Sequence, residues 1–186
     1  MNEINVRRTA SYVLLSVVSA LSLYYLYRAI NYRFVPAGRL GPTLFNKQAW
    51  YASHLIFALP VLFGAPLQFI APLRRRAPQW HRAIGKAYVV GACGAALLAI
   101  YLGAIVGEYE GSRLSIALTG SLWLFFTVAA WRLAVARNFV AHRAFMIRSY
   151  TMTLVLVWLR LMYDFQDFFF FYVKNPDLRD ATREWA

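Results

Sequence analysis

The stretch from Ala83 to Val106 reads AIGKAYVVGACGAALLAIYLGAIV and contains a single charged side chain, that of Lys86. A helix of about 20 apolar residues is long enough to cross the hydrocarbon core of a lipid bilayer. The many glycine and alanine residues are typical of a helix that packs closely against its neighbours inside a membrane. This stretch therefore predicts a transmembrane helix.

Four further apolar stretches of spanning length surround this one, at residues 12–30, 50–73, 114–135 and 144–173. The whole chain is 60% hydrophobic and only 15% charged, whereas soluble domains average about 45–50% and about 25%. We therefore predict an all-α integral membrane protein, with residues 1–186 forming one bundle of five transmembrane helices. The first stretch is too long for a signal peptide, and we expect it to be retained as an anchor.

Basic residues are more numerous at one end of these predicted helices than at the other. Eleven Lys and Arg residues lie at the N-terminus and around the second-to-third and fourth-to-fifth loops, against eight on the opposite side. Because basic loops favour the cytoplasm, we predict a cytoplasmic N-terminus and an external C-terminus. The net charge of +12 then indicates contact with anionic lipid headgroups. We expect no nucleic-acid partner, since no soluble basic domain is present.

A short charged phrase occurs twice, as QWHRAIGKAY at residues 79–88 and as VAHRAFMIRSY at residues 140–150. Each copy contains His-Arg-Ala, followed by a second basic residue and a tyrosine. In the predicted topology both copies lie where a helix enters the membrane from the cytoplasmic side. We therefore expect His81 and His142 to lie at similar depth, and the chain to contain two repeated helical hairpins.

Two histidines at one depth could hold a haem b, because imidazole is a common axial ligand of haem iron and helical bundles bind cofactors between facing helices. His81 and His142 would then be the iron ligands. The other candidate binding residues are Gln68, Arg82, Lys86, Tyr88, Arg143, Arg148 and Tyr150. A slot for the porphyrin could be opened by the small residues Gly85, Ala87, Gly91 and Gly94. Such a protein could exchange electrons with a quinone or a partner subunit.

The same basic residues permit two other functions. A non-redox binding or transport protein could use them to hold an anionic lipid or metabolite, since Arg forms charge-assisted hydrogen bonds with phosphate and carboxylate groups. In an accessory membrane subunit they would be structural, because arginines at a helix entry extend to lipid phosphates. The sequence leaves these alternatives open.

The third histidine, His54, belongs to a separate outer polar layer. It lies 17 residues before Ala71, which is roughly 25 Å along a helix, so it cannot share a metal with the other two histidines. Its expected neighbours are Arg160 and Asp164, which are spaced to form a same-face pair on the fifth helix. Such a pair suits either a functional outer site or a structural contact.

The phrases HRAIGKAY and AHRAFMIRSY, with His54 and Gln68 upstream, resemble the bacterial predicted membrane proteins of domain-of-unknown-function family 2306. The resemblance covers roughly residues 50–165. It implies a compact helical bundle in the bacterial cytoplasmic membrane, and it adds weight to the candidate residues without implying an activity. The layout is also similar to the membrane b-type cytochromes, although three histidines are one too few for two bis-histidine haems.

Overall fold

The computed structural model describes residues 3–34, 48–106 and 110–164, which form six α-helices and one π-helical turn. The helices are α1 (Glu3–Phe34), α2 (Gln48–Gln68), α3 (Ala71–Arg76), α4 (Pro78–Ile100), α5 (Glu110–Val135) and α6 (Phe139–Asp164), and the π-helical turn Tyr101–Ile105 continues α4. These described residues contain no β-strand, as the all-α prediction requires. The predicted extension of the fifth stretch to residue 173 lies outside them.

Proline shapes the connection between α2 and α4. A single helix was expected over residues 50–73, but α2 ends at Gln68 and the short helix α3 follows it. Ala77 then leaves the helical region, with φ −136° and ψ 62°, because a residue that precedes proline is disfavoured in the α conformation. Pro78 starts α4, where its missing N–H is not needed. The helix therefore begins five residues before the predicted position and includes His81.

A tight turn joins α5 to α6. Arg137 has a φ of 58°, and the backbone N–H of Asn138 donates to Leu133 O at 3.0 Å, the pattern in which a left-handed residue terminates a helix. The Asn138 side-chain oxygen accepts a hydrogen bond from Ala141 N at 3.2 Å and caps the start of α6. The second histidine phrase therefore begins within the first turn of α6.

The helices pack in sequence order, α2 against α4, α4 against α5 and α5 against α6, while α1 lies against α2 and α6. The core is formed by Val61, Ala65, Tyr88, Ala92, Ala95, Ala96 and Trp123. Tyr88, Ala92, Ala95 and Ala96 recur every three or four residues along α4, so they share one face. Small side chains on that face allow the neighbouring helices to approach closely, as is common in membrane proteins.

Three described helices are long and apolar enough to cross a membrane, namely Gln48–Gln68, Pro78–Ile105 and Arg113–Val135. Large apolar side chains on them face away from the bundle, including Ile56, Phe63, Val90, Leu97 and Phe125. Extensive exposed apolar surface is rare on soluble monomers. The length of the helices and their apolar outer surface together support a membrane localisation.

Candidate functional site at the basic end of the bundle

His81 lies near the start of α4 and has an unsatisfied ring. Its Nδ1 atom is buried without a hydrogen-bond partner among the described residues. The Gln68 side chain approaches the same residue, but its Nε2 donates to the backbone oxygen of His81 at 3.0 Å and not to the ring. An unpaired buried polar atom costs about 1–3 kcal/mol. A ligand that bonds this nitrogen would recover that energy.

His142 is held in a different way. Its Nδ1 lies 2.9 Å from the backbone oxygen of Ala130 on α5. A carbonyl oxygen can only accept, so Nδ1 carries the proton and Nε2 keeps the lone pair. The α5–α6 hairpin thus fixes both the orientation and the tautomer of this ring, while the corresponding ring on α4 has no such support.

The structure brings the two histidines to the same end of the bundle, here called the basic end, which contains α3 and the α5–α6 turn. His81 lies within electrostatic range of both His142 and Arg74. Nine basic side chains on or beside these elements are exposed: Arg74, Arg75, Arg76, Arg82, Lys86, Arg132, Arg137, Arg143 and Arg148. One of them, Arg148, places its guanidinium 4.8 Å from the centre of the Phe145 ring.

No carboxylate side chain accompanies these basic residues in the sequence. All eight Asp and Glu residues lie outside the ranges 4–107 and 111–163, which contain the whole basic end. Its positive charge is therefore not neutralised by acidic residues of the same helices. An anion from outside the chain would meet several cations and an unpaired histidine nitrogen at one place.

Tyr88, one of the candidate binding residues, lies well inside the bundle. It is seven residues beyond His81, or roughly 10 Å along α4, and its side chain is 0% exposed. Its hydroxyl lies 2.8 Å from Ser149 Oγ on α6. Tyr88 is therefore enclosed by the helices of the bundle. Tyr150 is half-buried beside it and packs on Phe69 with ring centres 5.6 Å apart.

Tyr88 heads a buried chain of hydroxyl groups with a defined direction. Thr127 donates its one proton to Trp123 O at 2.8 Å, so the 2.7 Å contact between Thr127 and Ser149 must be donated by Ser149. The proton of Ser149 is then used, and Tyr88 must donate to Ser149. This chain, here called the hydroxyl chain, joins α4, α6 and α5 in the middle of the bundle.

His54 remains far from the other two histidines. Its Nδ1–H donates to the backbone oxygen of Ala95 at 3.0 Å, and Ala95 lies 14 residues beyond His81 on α4, roughly 21 Å along the helix. An aromatic pair, Trp50 and Tyr101, lies beyond it with ring centres 5.0 Å apart. The predicted partners Arg160 and Asp164 lie outside the residues whose side chains are described.

Two of the four small residues expected to open a porphyrin slot, Gly91 and Gly94, are used in helix packing. A Cβ atom at Gly91 would lie 2.6 Å from both Phe57 O and the Pro60 ring, and one at Gly94 would meet the ring of Phe57. These glycines therefore serve the close contact between α2 and α4, and the expectation that they open a cofactor slot was wrong. Among the described residues, no group of three His, Cys, Asp or Glu side chains could hold a metal ion.

Most of the hydroxyl chain was not predicted from the sequence. Ser149 follows His142 by seven residues, just as Tyr88 follows His81. Residues seven apart on a helix share a face, so this spacing was the available signal. No comparable signal existed for Thr127 and Trp123, because an isolated threonine or tryptophan in an apolar helix gives no indication of which face is buried.

Comparison with known proteins yields a family and nothing finer. No curated protein and no solved structure matches the chain, and nothing in these comparisons supports the likeness to b-type cytochromes. Residues 51–180 match the family described as "Predicted membrane protein (DUF2306)". This range includes the three histidines, both copies of the charged phrase and most of the described bundle. The chain therefore belongs to the DUF2306 family of predicted membrane proteins.

Proposed function

We propose that this membrane protein binds a phosphate-bearing anion at the basic end, with His81 as the central contact. The observation that carries the proposal is the buried Nδ1 atom of His81, which no described residue satisfies. When that nitrogen carries the proton, it needs an acceptor. A phosphate oxygen is a strong acceptor, and its negative charge is favoured beside Arg74, which lies within electrostatic range of the ring.

The charge distribution supports an anion over a neutral ligand. The nine exposed basic side chains of the basic end have no acidic residue within the same stretches of sequence. Their mutual repulsion is relieved when an anion binds, and Arg in particular pairs with phosphate through two parallel hydrogen bonds. The phosphate could belong to an anionic lipid of the surrounding leaflet or to a soluble phosphate ester.

Native mass spectrometry of the detergent-purified protein with dioleoyl phosphatidylglycerol tests this proposal. His81→Ala is expected to lower the bound fraction about tenfold or more, because a hydrogen bond to a charged group contributes about 1.5–3 kcal/mol and 1.4 kcal/mol corresponds to a factor of ten. The matched control is His54→Ala. This substitution removes a histidine of α2 that lies far from the basic end, and it should leave lipid binding unchanged.

Two further measurements identify the source of the phosphate. Displacement of the lipid by millimolar inorganic phosphate would indicate a soluble phosphate ester, whereas persistence of the lipid would indicate a headgroup site. Equal lipid binding by His81→Ala and the wild-type protein would rule out the proposed site. The thermal unfolding of each variant is measured in parallel, so that loss of binding is not confused with loss of folding.

We further propose that α1 and α6 also cross the membrane, giving five transmembrane helices with the basic end in the cytoplasm. At 26 residues, α6 is roughly 39 Å long, which exceeds the thickness of the hydrocarbon core. The concentration of arginine at the basic end favours its cytoplasmic placement. The N-terminus then lies in the cytoplasm and the C-terminus outside.

Cysteine labelling tests this topology in a Cys93→Ala background. With a membrane-impermeant maleimide, Ala77→Cys is expected to react from the cytoplasmic side. Ser112→Cys and Asp177→Cys are expected to react from the opposite side. Labelling of positions 77 and 112 from the same side would contradict the crossing of α4, and labelling of positions 112 and 177 from different sides would contradict the five-helix arrangement.

A haem b between His81 and His142 is the second candidate, favoured by one observation. Because Nδ1 of His142 donates to Ala130 O, its Nε2 lone pair is free, which is the tautomer that ligates iron. A quinone or partner subunit would then exchange electrons with the iron. Protein purified from haem-replete cells should show a b-type absorption spectrum that His142→Ala abolishes, and a colourless preparation would eliminate this candidate.

A further inference from the structure

Arg148 is a charged side chain on the outer surface of α6, at the level of the hydroxyl chain. It lies six residues beyond His142, or roughly 9 Å along the helix, and its neighbour Ser149 belongs to that chain. Arg148 is exposed, and it forms no hydrogen bond or ion pair with any residue that the structure describes. A charged side chain within a membrane-spanning helix is costly unless it has a partner. Its guanidinium therefore needs an acceptor that the described bundle does not supply.

The ring of Phe145 holds the guanidinium of Arg148 in place. Arg148 Cζ lies 4.8 Å from the centre of that ring, an arrangement in which a cation is attracted to the face of an aromatic side chain. Phe145 also packs against Phe125 and Phe126 of α5, with ring centres 6.3 Å and 6.0 Å away. Because Phe145 precedes Arg148 by three residues on α6, the guanidinium is directed toward the basic end. This is the side from which a lipid headgroup would reach it.

Exposed apolar side chains continue this surface away from the basic end. Phe125 is 59% exposed and Leu122 is 45% exposed, and residues three apart on a helix share a face. The surface therefore combines a cation directed toward the headgroups with apolar groups along the helix. A phospholipid has the complementary arrangement, because its phosphate forms charge-assisted hydrogen bonds with Arg and its acyl chains make van der Waals contacts with hydrocarbon side chains.

We propose that an anionic phospholipid binds to this outer surface of α5 and α6, here called the Arg148 face and formed by Leu122, Phe125, Phe145 and Arg148. The lipid phosphate pairs with Arg148, and an acyl chain lies on Leu122 and Phe125. A second copy of the chain is a poorer occupant, because residues 111–163 contain no carboxylate and a parallel dimer on this face would bring like charges together. The inference rests on α6 crossing the membrane, as proposed above, and not on the ligand of His81.

Photocrosslinking from two positions at matched depth tests the proposal. Phe125 precedes Thr127 by two residues on α5, and Val90 follows Tyr88 by two residues on α4. Since these helices are antiparallel, both positions lie just beyond the hydroxyl chain, on the side away from the basic end. Val90 is 63% exposed but belongs to a helix that does not form the Arg148 face. Photoreactive p-benzoylphenylalanine replaces one or the other residue in protein reconstituted into vesicles of equal parts dioleoyl phosphatidylglycerol and dioleoyl phosphatidylcholine.

Mass spectrometry of the illuminated protein gives the ratio of the two attached lipids. At position 125, phosphatidylglycerol should exceed phosphatidylcholine roughly fivefold or more, because the choline cation is repelled by Arg148. At position 90 the two lipids should be attached about equally. Arg148→Gln should lower the ratio at position 125 to the value at position 90, while His81→Ala should leave it unchanged.

Equal ratios at the two positions, or a ratio at position 125 that Arg148→Gln does not lower, would overturn the proposal. Crosslinking of two copies of the chain at position 125 would overturn it in favour of a dimer. Loss of the enrichment in His81→Ala would overturn the separate Arg148 face by assigning the lipid to the basic end. Enrichment that persists in His81→Ala supports the Arg148 face even if native mass spectrometry contradicts the His81 site. If the protein substituted at Phe125 does not fold, the same comparison is made at Leu122.

Discussion

Gly91→Ala is expected to destabilise the protein by about 2–3 kcal/mol, the upper part of the range of about 1–3 kcal/mol that is typical when an extra methyl group is forced into a well-packed core. The new Cβ would lie 2.6 Å from the backbone oxygen of Phe57 and from the ring of Pro60. Neither group can rotate away, so α2 and α4 must separate. This contact belongs to the most extensive helix pair of the bundle, and the clash outweighs the roughly 0.5–1 kcal/mol that alanine contributes to a helix relative to glycine.

Gly85→Ala is the matched control on the same helix. Its Cβ would lie 3.4 Å from a flexible side-chain atom of Gln68, which is an ordinary contact, so the stability should be unchanged or slightly increased. The single cysteine, Cys93, is half-buried in α4, and its reaction with a maleimide dye during heating reports unfolding. Equal unfolding temperatures for the two variants would show that the close approach of α2 and α4 is not as described.

Ser149→Ala is expected to destabilise the protein by about 2 kcal/mol, more than its size suggests. Ser149 accepts a hydrogen bond from Tyr88 and donates one to Thr127. Both neighbours are 0% exposed, so the substitution removes the acceptor that lies 2.8 Å from the Tyr88 hydroxyl, and a buried polar group that loses its hydrogen bond costs about 1–3 kcal/mol. Tyr88→Phe should cost only about 1 kcal/mol, because Ser149 can still donate to Thr127.

The double variant Tyr88→Phe/Ser149→Ala distinguishes this explanation from simple loss of packing. Removing the tyrosine hydroxyl also removes the unpaired donor, so the double variant should be no less stable than Ser149→Ala alone. A coupling of this sign is what a double-mutant cycle measures for groups in direct contact. Additive effects would contradict the hydrogen-bond chain. Thr151→Ala, on the exposed side of α6, should leave the stability nearly unchanged.

The candidate site could be predicted only in part from the sequence. The repeated His-Arg-Ala phrase drew attention to His81 and His142, which the structure places at one end of the bundle. The roles of the two rings could not be separated, because the ring of His142 is fixed by a backbone carbonyl, and any residue at position 130 supplies the same atom. The burial of Tyr88 could not be predicted either, because it depends on the contact with Ser149 of α6.

The sequence by itself determined that the chain is helical and lies in a membrane, because apolar length and the absence of charge are properties of a single segment. It also determined the basic end, since every carboxylate lies elsewhere along the chain. Only the tertiary structure decided which small residues are used for packing. The glycines of α4 suited a cofactor slot equally well until Phe57 and Pro60 of α2 were seen to occupy that space.

The hydroxyl chain likewise arises only from tertiary structure. Its three side chains, from Tyr88, Thr127 and Ser149, come from three helices and meet at distances of 2.7–2.8 Å. Hydrogen bonds are short and directional, so a small rotation of any one helix would separate these groups. Hydrophobic periodicity shows where a helix lies along the chain, but it does not fix the rotation of the helix about its own axis closely enough to predict these contacts. That rotation is determined by the packing of all the helices together.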